Sequence, residues 1–119
     1  MLDKIENILS VQPHVPNHHF GRPFLTPYQI AIRFEDKYQK VFQKIGKPVG
    51  GKNTGQKDSL AQYIALELSR RIKSKEIDSI EGAFLYRDKQ LELIYKDDDV
   101  EATSGQYNDL SMYRYCKKD

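Results

Sequence analysis

The chain has 119 residues and a net charge of +2, with 39% hydrophobic and 30% charged residues, which are the proportions of one folded domain over residues 1–119 and not of a disordered chain. No apolar run approaches the roughly 20 residues of a membrane-spanning helix, and the N-terminus carries acidic residues where a signal peptide has basic ones, so no membrane association is expected. The single cysteine, Cys116, cannot form an internal disulfide, which favours a reducing, cytoplasmic location.

The first 23 residues predict a short helix followed by an extended connector. Apolar residues recur at helical spacing between Leu2 and Leu9, so we expect an N-terminal helix over residues 2–10. Three prolines and three histidines follow in residues 11–23, which we call the connector. Proline has no N–H to donate and biases the preceding residue away from helix, so the connector is expected to be extended.

The clearest helix is predicted over residues 27–45. Thr26 and Gln29 have the spacing of a capping box, and Pro27 occupies the first helical position, where proline is favoured. Gly46 is the expected C-terminal cap. One apolar stripe for burial runs along this helix and comprises Ile30, Phe34, Tyr38, Val41, Phe42 and Ile45.

A second main helix is predicted over residues 60–73. Ser59 and Gln62 repeat the capping-box spacing, and Leu60, Ile64 and Leu68 supply an apolar face. Residues 46–58 between the two helices are rich in glycine and lysine, and we call them the glycine loop. Because glycine and lysine are common in exposed turns, we expect this segment to lie at the surface.

The C-terminal third changes to the alternating pattern of strands. Residues 80–86 and 91–95 alternate on either side of a turn at 87–90, which predicts a hairpin, and residues 100–103 and 110–116 predict two further strands. We therefore predict an α+β fold. Its two main helices and the short N-terminal helix pack on a small antiparallel sheet formed from residues 80–116.

The small net charge hides a strong asymmetry. Residues 21–75 hold 12 Lys and Arg against 4 Asp and Glu, whereas residues 76–119 hold 6 against 11. Within the basic half, four cations follow the helical spacing i, i+4, i+7 and i+11 opposite the apolar stripe. We call them the basic ridge: Arg33, Lys37, Lys40 and Lys44. Such a surface predicts an anionic partner, either nucleic acid or an acidic protein surface. The alternative is a solvated helix face.

The glycine loop comes close to a nucleotide-binding P-loop in the run from Gly46 to Asn53. That motif needs a preceding strand and a Ser or Thr after the lysine, whereas here a helix precedes and Asn53 follows Lys52. The P-loop interpretation is therefore rejected. Glycine N–H groups, lysines and the following helix N-terminus still have the chemistry of a general anion site, with a mobile, solvated loop as the alternative.

The connector histidines are weak candidates for a metal site. His14 and His18 are four residues apart and His19 is adjacent, but Pro16 opposes the helix that would align their rings. A structural zinc site normally has four closely spaced ligands, and no cysteine or carboxylate lies nearby in the sequence. No metal and no cofactor are expected.

These patterns favour a small non-enzymatic nucleic-acid-binding or regulatory accessory protein. Contacts from such a surface go mainly to phosphates and depend strongly on salt. The candidate nucleic-acid-binding residues are Arg33, Lys37, Lys40, Lys44, Lys47, Lys52, Lys57, Arg70, Arg71 and Lys73.

Two other functions stay open. The first is a protein-interaction module, including a homodimer in which the basic half of one copy contacts an acidic surface such as the C-terminal half of another. The second and weaker one is a small ligand-binding protein or enzyme with its site near residues 18–22 and 46–58. Since no catalytic arrangement is recognisable in the sequence, we assign no catalytic residue and favour a non-enzyme.

Overall fold

A computed structural model of the chain describes residues 1–10, 20–50, 59–85, 94–97, 100–103 and 110–116. These ranges form an α+β fold, as predicted. The helices are α1 (Leu2–Leu9), α2 (Pro27–Lys37), α3 (Gln39–Ile45) and α4 (Leu60–Lys73), and the strands are β1 (Ile80–Leu85), β2 (Ile94–Asp97), β3 (Val100–Thr103) and β4 (Leu110–Tyr115). None of the helices in these ranges is long and apolar enough to span a membrane.

The predicted capping box is present at the start of α2, whereas at α4 only its Ser59 half is observed among the described residues. The Thr26 hydroxyl accepts a hydrogen bond from the Gln29 N–H at 3.2 Å, and the Thr26 N–H donates to the Gln29 side chain at 2.9 Å, which completes the capping box. At α4 the Ser59 hydroxyl accepts from the Gln62 N–H at 3.1 Å. These bonds satisfy N–H groups that a helix N-terminus otherwise leaves without partners.

The prediction of one continuous helix over residues 27–45 is wrong at Tyr38. This residue has φ −128° and ψ 54°, so α2 ends before it and α3 begins after it. Its side chain is held against α1, where Asn7 donates to the Tyr38 hydroxyl at 2.9 Å and the Lys4 ammonium lies 5.6 Å from the ring centroid. Contacts with a separate helix therefore accompany the break, and the apolar periodicity of residues 27–45 carries no sign of them.

The described strands form two separate two-stranded sheets where one sheet was predicted, and their pairing differs from the predicted hairpin. β1 pairs antiparallel with β4, from Ile80 opposite Tyr115 to Leu85 opposite Leu110, and β2 pairs antiparallel with β3. The turn predicted at residues 87–90 and most of its second arm lie outside the described residues. Alternating hydrophobicity identifies strands but does not specify their partners, which explains the difference.

Leu25, two residues after the connector, also joins the sheet. Leu25 and Tyr113 exchange two backbone hydrogen bonds, each of 2.8 Å, on the edge of β4 opposite β1. β4 is therefore flanked by β1 on one side and by the residue that precedes the α2 cap on the other.

The core lies between the helices and the inner face of the β1–β4 pair. Its fully buried larger side chains come from α1, α2 and α4 and are Ile5, Leu9, Ile30, Phe34, Leu60, Ile64 and Leu68. Ile80 and Tyr113 close it on the side of the sheet. Because α1 contributes two of these side chains, the short N-terminal helix is part of the domain core.

Candidate nucleic-acid interface

The basic ridge is divided between two helices. Arg33 and Lys37 lie on α2, Lys40 and Lys44 lie on α3, and the break at Tyr38 falls between the two pairs. All four side chains are exposed. The ridge is thus two pairs with i, i+4 spacing and not one line along a single helix.

One ridge lysine is already engaged within the molecule. The Lys37 ammonium donates to the Asn7 side chain at 3.4 Å and lies 5.9 Å from the Tyr38 ring centroid. The other three cations, which we call the open ridge cations (Arg33, Lys40 and Lys44), make no ion pair or side-chain hydrogen bond with any described residue. Within the described part of the chain, no side chain therefore competes with an external anion for these three charges on α2 and α3.

The cations at the end of α4 are mostly paired with carboxylates. Arg70 bonds Glu67 at 2.6 Å and Glu76 at 3.4 Å, and Arg71 lies 3.5 Å from Glu67. The hydrogen bond from Arg70 lowers the pKa of the Glu67 carboxyl, and Glu67 in turn raises the pKa of Arg70. Glu67 therefore partly neutralises both arginines and occupies some of their N–H donors. Lys73 is exposed and outside this network.

The first residues of the glycine loop hydrogen-bond to the N-terminus of α4. The Leu60 N–H donates to the Pro48 carbonyl at 2.7 Å, and the Ala61 N–H donates to the Val49 carbonyl at 2.9 Å. With Ser59 capping the next N–H, the first three donors of the helix are all occupied. The anion site expected at this helix terminus is therefore not formed by these groups. Of the loop lysines, Lys47 is half-buried, and Lys52 and Lys57 lie outside the described residues.

The packing of residues 48–50 against the start of α4 requires a glycine at position 50. Replacing Gly50 with Ala is expected to lower the free energy of unfolding by about 1–3 kcal/mol. Its φ is +126°, and an added Cβ would lie 3.0 Å from the Ser59 side chain and 3.2 Å from the Ala61 Cβ. The measurement is urea unfolding followed by circular dichroism.

Gly46→Ala is the matched control for this substitution. Gly46 also has a positive φ, +72°, but an added Cβ would meet nothing within 4 Å. We expect it to cost about 1 kcal/mol, the penalty for the left-handed conformation alone. A Gly50→Ala loss no larger than the Gly46→Ala loss would contradict the close packing of Gly50 against α4.

Two further arginines lie on the sheet and are engaged there. Arg114 forms an ion pair with Glu81 across the β1–β4 pair, and its guanidinium lies 4.5 Å from the Phe24 ring centroid. The Arg22 guanidinium lies 5.1 Å from the Tyr115 ring centroid. This cluster was not predicted, because Glu81 and Arg114 become neighbours only through the pairing of β1 with β4.

The described residues give no additional support to metal binding or catalysis. His14, His18 and His19 lie outside them, and within them no three His, Cys, Asp or Glu side chains are grouped to hold a metal ion. The Cys116 thiol donates to the Asp78 carbonyl at 3.3 Å. Loss of solvation raises the pKa of that thiol, which disfavours the nucleophilic thiolate.

Only part of the ligand site predicted near residues 18–22 and 46–58 is described. Residues 20–22 lie beside β4, where Arg22 covers Tyr115, and residues 46–50 lead to α4.

Comparison of the chain with protein-family models, with curated proteins and with solved structures finds no match. The described side chains are therefore the basis for assigning a function, because a fold class by itself does not specify one.

Proposed function

We propose that this protein is a small non-enzymatic nucleic-acid-binding protein whose open ridge cations, Arg33, Lys40 and Lys44, contact backbone phosphates. The observation that carries the proposal is their availability. They are exposed on consecutive helices and have no ion-pair partner among the described residues. By contrast, the four other arginines in the described part of the chain are engaged by carboxylates or aromatic rings: Arg22, Arg70, Arg71 and Arg114.

Availability matters because breaking an existing ion pair with a carboxylate costs free energy, which reduces the affinity of that cation for a phosphate. An open lysine or arginine loses only water, while the nucleic acid releases a condensed counterion for each phosphate that is neutralised. Each such contact contributes about −0.9 to the slope of log K against log salt for duplex DNA and about −0.7 for a single strand. Three open cations therefore predict a duplex slope of about −3 from this surface.

The proposed contacts are to the backbone and carry no sequence preference. Phosphate contacts alone give the affinities of non-specific binding, about 10⁻⁴ to 10⁻⁶ M at physiological salt. Glu35 and Asp36 lie on the same helix as Arg33, and their negative charge weakens the local field. We therefore expect moderate affinity that is visible mainly at low salt.

The test is fluorescence anisotropy with labelled single-stranded and duplex DNA, at salt concentrations from about 50 mM to about 200 mM. The ridge variant carries three substitutions: Arg33→Gln, Lys40→Gln and Lys44→Gln. We expect it to lower the affinity at low salt by about tenfold or more and to reduce the magnitude of the salt slope by about 3 for duplex DNA.

A control variant removes two positive charges from α4, with the substitutions Arg70→Gln and Arg71→Gln. Both residues are already held by Glu67, so we expect less than about a threefold loss of affinity from this variant. Equal losses in the two variants would show that bulk charge and not the ridge governs binding. Absence of binding by the unmodified protein at low salt would end the proposal.

A further inference from the structure

The outer edge of β1 is the second surface available to a partner. β4 pairs with β1 on one side and with Leu25 on the other, so β1 is the outermost strand of this sheet among the described residues. Residues 82–85 of β1 are all exposed. An exposed strand edge carries N–H and C=O groups that another strand can bind.

The direction of these backbone groups follows from the hydrogen bonds of β4. The Tyr113 N–H donates to the Leu25 carbonyl, and the Tyr113 carbonyl accepts from the Leu25 N–H. Neither group therefore points toward Gly82, the residue opposite Tyr113 in the β1–β4 pair. Antiparallel strands alternate between hydrogen-bonded and non-hydrogen-bonded pairs. Gly82 and Phe84 consequently direct their N–H and C=O groups away from β4, toward the outer edge.

Within the described residues, this edge lacks the features that usually prevent strand addition. Proteins protect edge strands with charges, prolines or a covering segment. β1 contains no proline, and its only charged residue, Glu81, is neutralised by Arg114. Phe84 is 74% exposed and Leu85 is 39% exposed, while Ile80 at the other end of the strand is buried. The accessible part of the edge is therefore apolar and uncharged.

We propose that β1 pairs antiparallel with β1 of a second copy of this chain, with Ala83 opposite Ala83 at a two-fold axis. In this register Gly82 of each copy lies opposite Phe84 of the other. These are the two exposed residues whose backbone groups point outward, so each Gly82–Phe84 pair exchanges two hydrogen bonds. The symmetry produces the pair twice, as an interface between identical surfaces requires.

The side chains of β1 are complementary in the same register. Phe84 of each copy faces a glycine, which leaves room for the aromatic ring. The position of a Cβ on Gly82 lies 3.4 Å from the buried Tyr113 ring, so Gly82 packs against that ring and has no side chain of its own to obstruct Phe84. Ala83 occupies the non-hydrogen-bonded pair, where opposed side chains are closest and a methyl group is accommodated. Glu81 faces Leu85, so like charges are not opposed.

This interface is distinct from a contact between the basic and acidic halves of two copies. Pairing of β1 buries backbone and apolar groups, whose association high salt does not weaken, whereas a contact between opposite charges weakens as salt is added. One added strand pair makes an interface below the roughly 1,200 Å² of stable complexes, so we expect weak, concentration-dependent dimerisation. Nucleic acid takes no part in it.

The experiment is sedimentation equilibrium of the full chain without nucleic acid, from about 10 μM to about 1 mM protein, in moderate salt and in about 1 M salt. We expect a monomer–dimer equilibrium that high salt does not weaken. Phe84→Ala removes the ring that faces Gly82, and Ala83→Lys places two lysines directly opposite at the axis. Each is expected to raise the dissociation constant by about tenfold or more.

Leu66→Ala is the matched control, because Leu66 is also an apolar side chain, 63% exposed, but lies on α4. It should leave the dissociation constant unchanged. A protein that remains monomeric at the highest concentration overturns the proposal. A dimer that tolerates both strand substitutions, that is lost in high salt, or that Leu66→Ala weakens as much as Phe84→Ala also overturns it. Circular dichroism of each variant verifies that the monomer is folded.

Discussion

Replacing Phe34 with Ala is expected to lower the free energy of unfolding by about 3–5 kcal/mol. Among the described residues Phe34 is the bulkiest fully buried side chain, at 0% exposure, and it lies on the helix that contacts α1, α4 and three strands. The centroid of its ring also lies 5.4 Å from the centroid of the Tyr38 ring. Ala would leave a cavity between these elements. A domain of this size has a total stability of about 5–15 kcal/mol, so the loss approaches unfolding.

Urea unfolding measures this loss as a lower midpoint with an unchanged slope. Phe84→Ala is the matched control, since it makes the same substitution at a side chain that is 74% exposed. At a protein concentration low enough to keep the chain monomeric, it should cost less than about 0.5 kcal/mol. Similar losses for the two substitutions would contradict the burial of Phe34 and the exposure of Phe84.

The second large effect is expected at Tyr113, where Tyr113→Ala should cost about 3–5 kcal/mol. The side chain is 2% exposed on the inner face of β4. Its hydroxyl lies 2.8 Å from the Ser69 hydroxyl and 3.3 Å from the Ala65 carbonyl, so it joins the sheet to α4. Tyr113→Phe retains the ring and removes only the hydroxyl, and should cost about 0.5–1.5 kcal/mol.

A double-mutant cycle separates the hydrogen bond from the packing of the ring. Tyr113→Phe and Ser69→Ala each remove one partner of the same bond, so their combined loss should be smaller than the sum by about 0.5 kcal/mol or more. Tyr115→Phe serves as the control, because the Tyr115 hydroxyl makes no hydrogen bond with the described residues. Strict additivity of Tyr113→Phe and Ser69→Ala would mean that the two hydroxyls do not interact.

The local features of the fold were predictable because their partners lie within a few residues. Thr26 and Gln29 identify the start of α2, Ser59 identifies the start of α4, and Gly46 ends α3 in the left-handed conformation, with φ +72°. Each depends on a hydrogen bond or a backbone conformation that one turn of chain determines. The apolar positions of α4 were predictable for the same reason.

The features that were predicted wrongly depend on contacts between residues far apart in the sequence. The break at Tyr38 accompanies its contacts with Lys4 and Asn7 on α1, and the pairing of β1 with β4 passes over two intervening strands. Helical periodicity and strand alternation describe which face of an element is apolar. They contain no information on which distant element will cover that face.

The candidate site was predictable only as a distribution of charge. The excess of Lys and Arg identifies the basic half, but availability depends on the neighbours of each cation. Glu67 precedes Arg70 by three residues and Arg71 by four, so helical spacing could have identified this network in advance. The bond between Lys37 and Asn7 had no such signal, because it joins two separate helices.

The backbone pairing of Leu25 with Tyr113 also bears on how the chain folds during synthesis. All four helices leave the ribosome before β4 does, yet β4 closes the side of the core that faces the sheet. A contact between residues this distant carries a loop-closure cost that slows folding relative to a purely helical domain. The apolar surface that β4 covers in the folded domain therefore stays exposed on the nascent helices until Tyr113 has been synthesised. During this interval the chain is prone to aggregation.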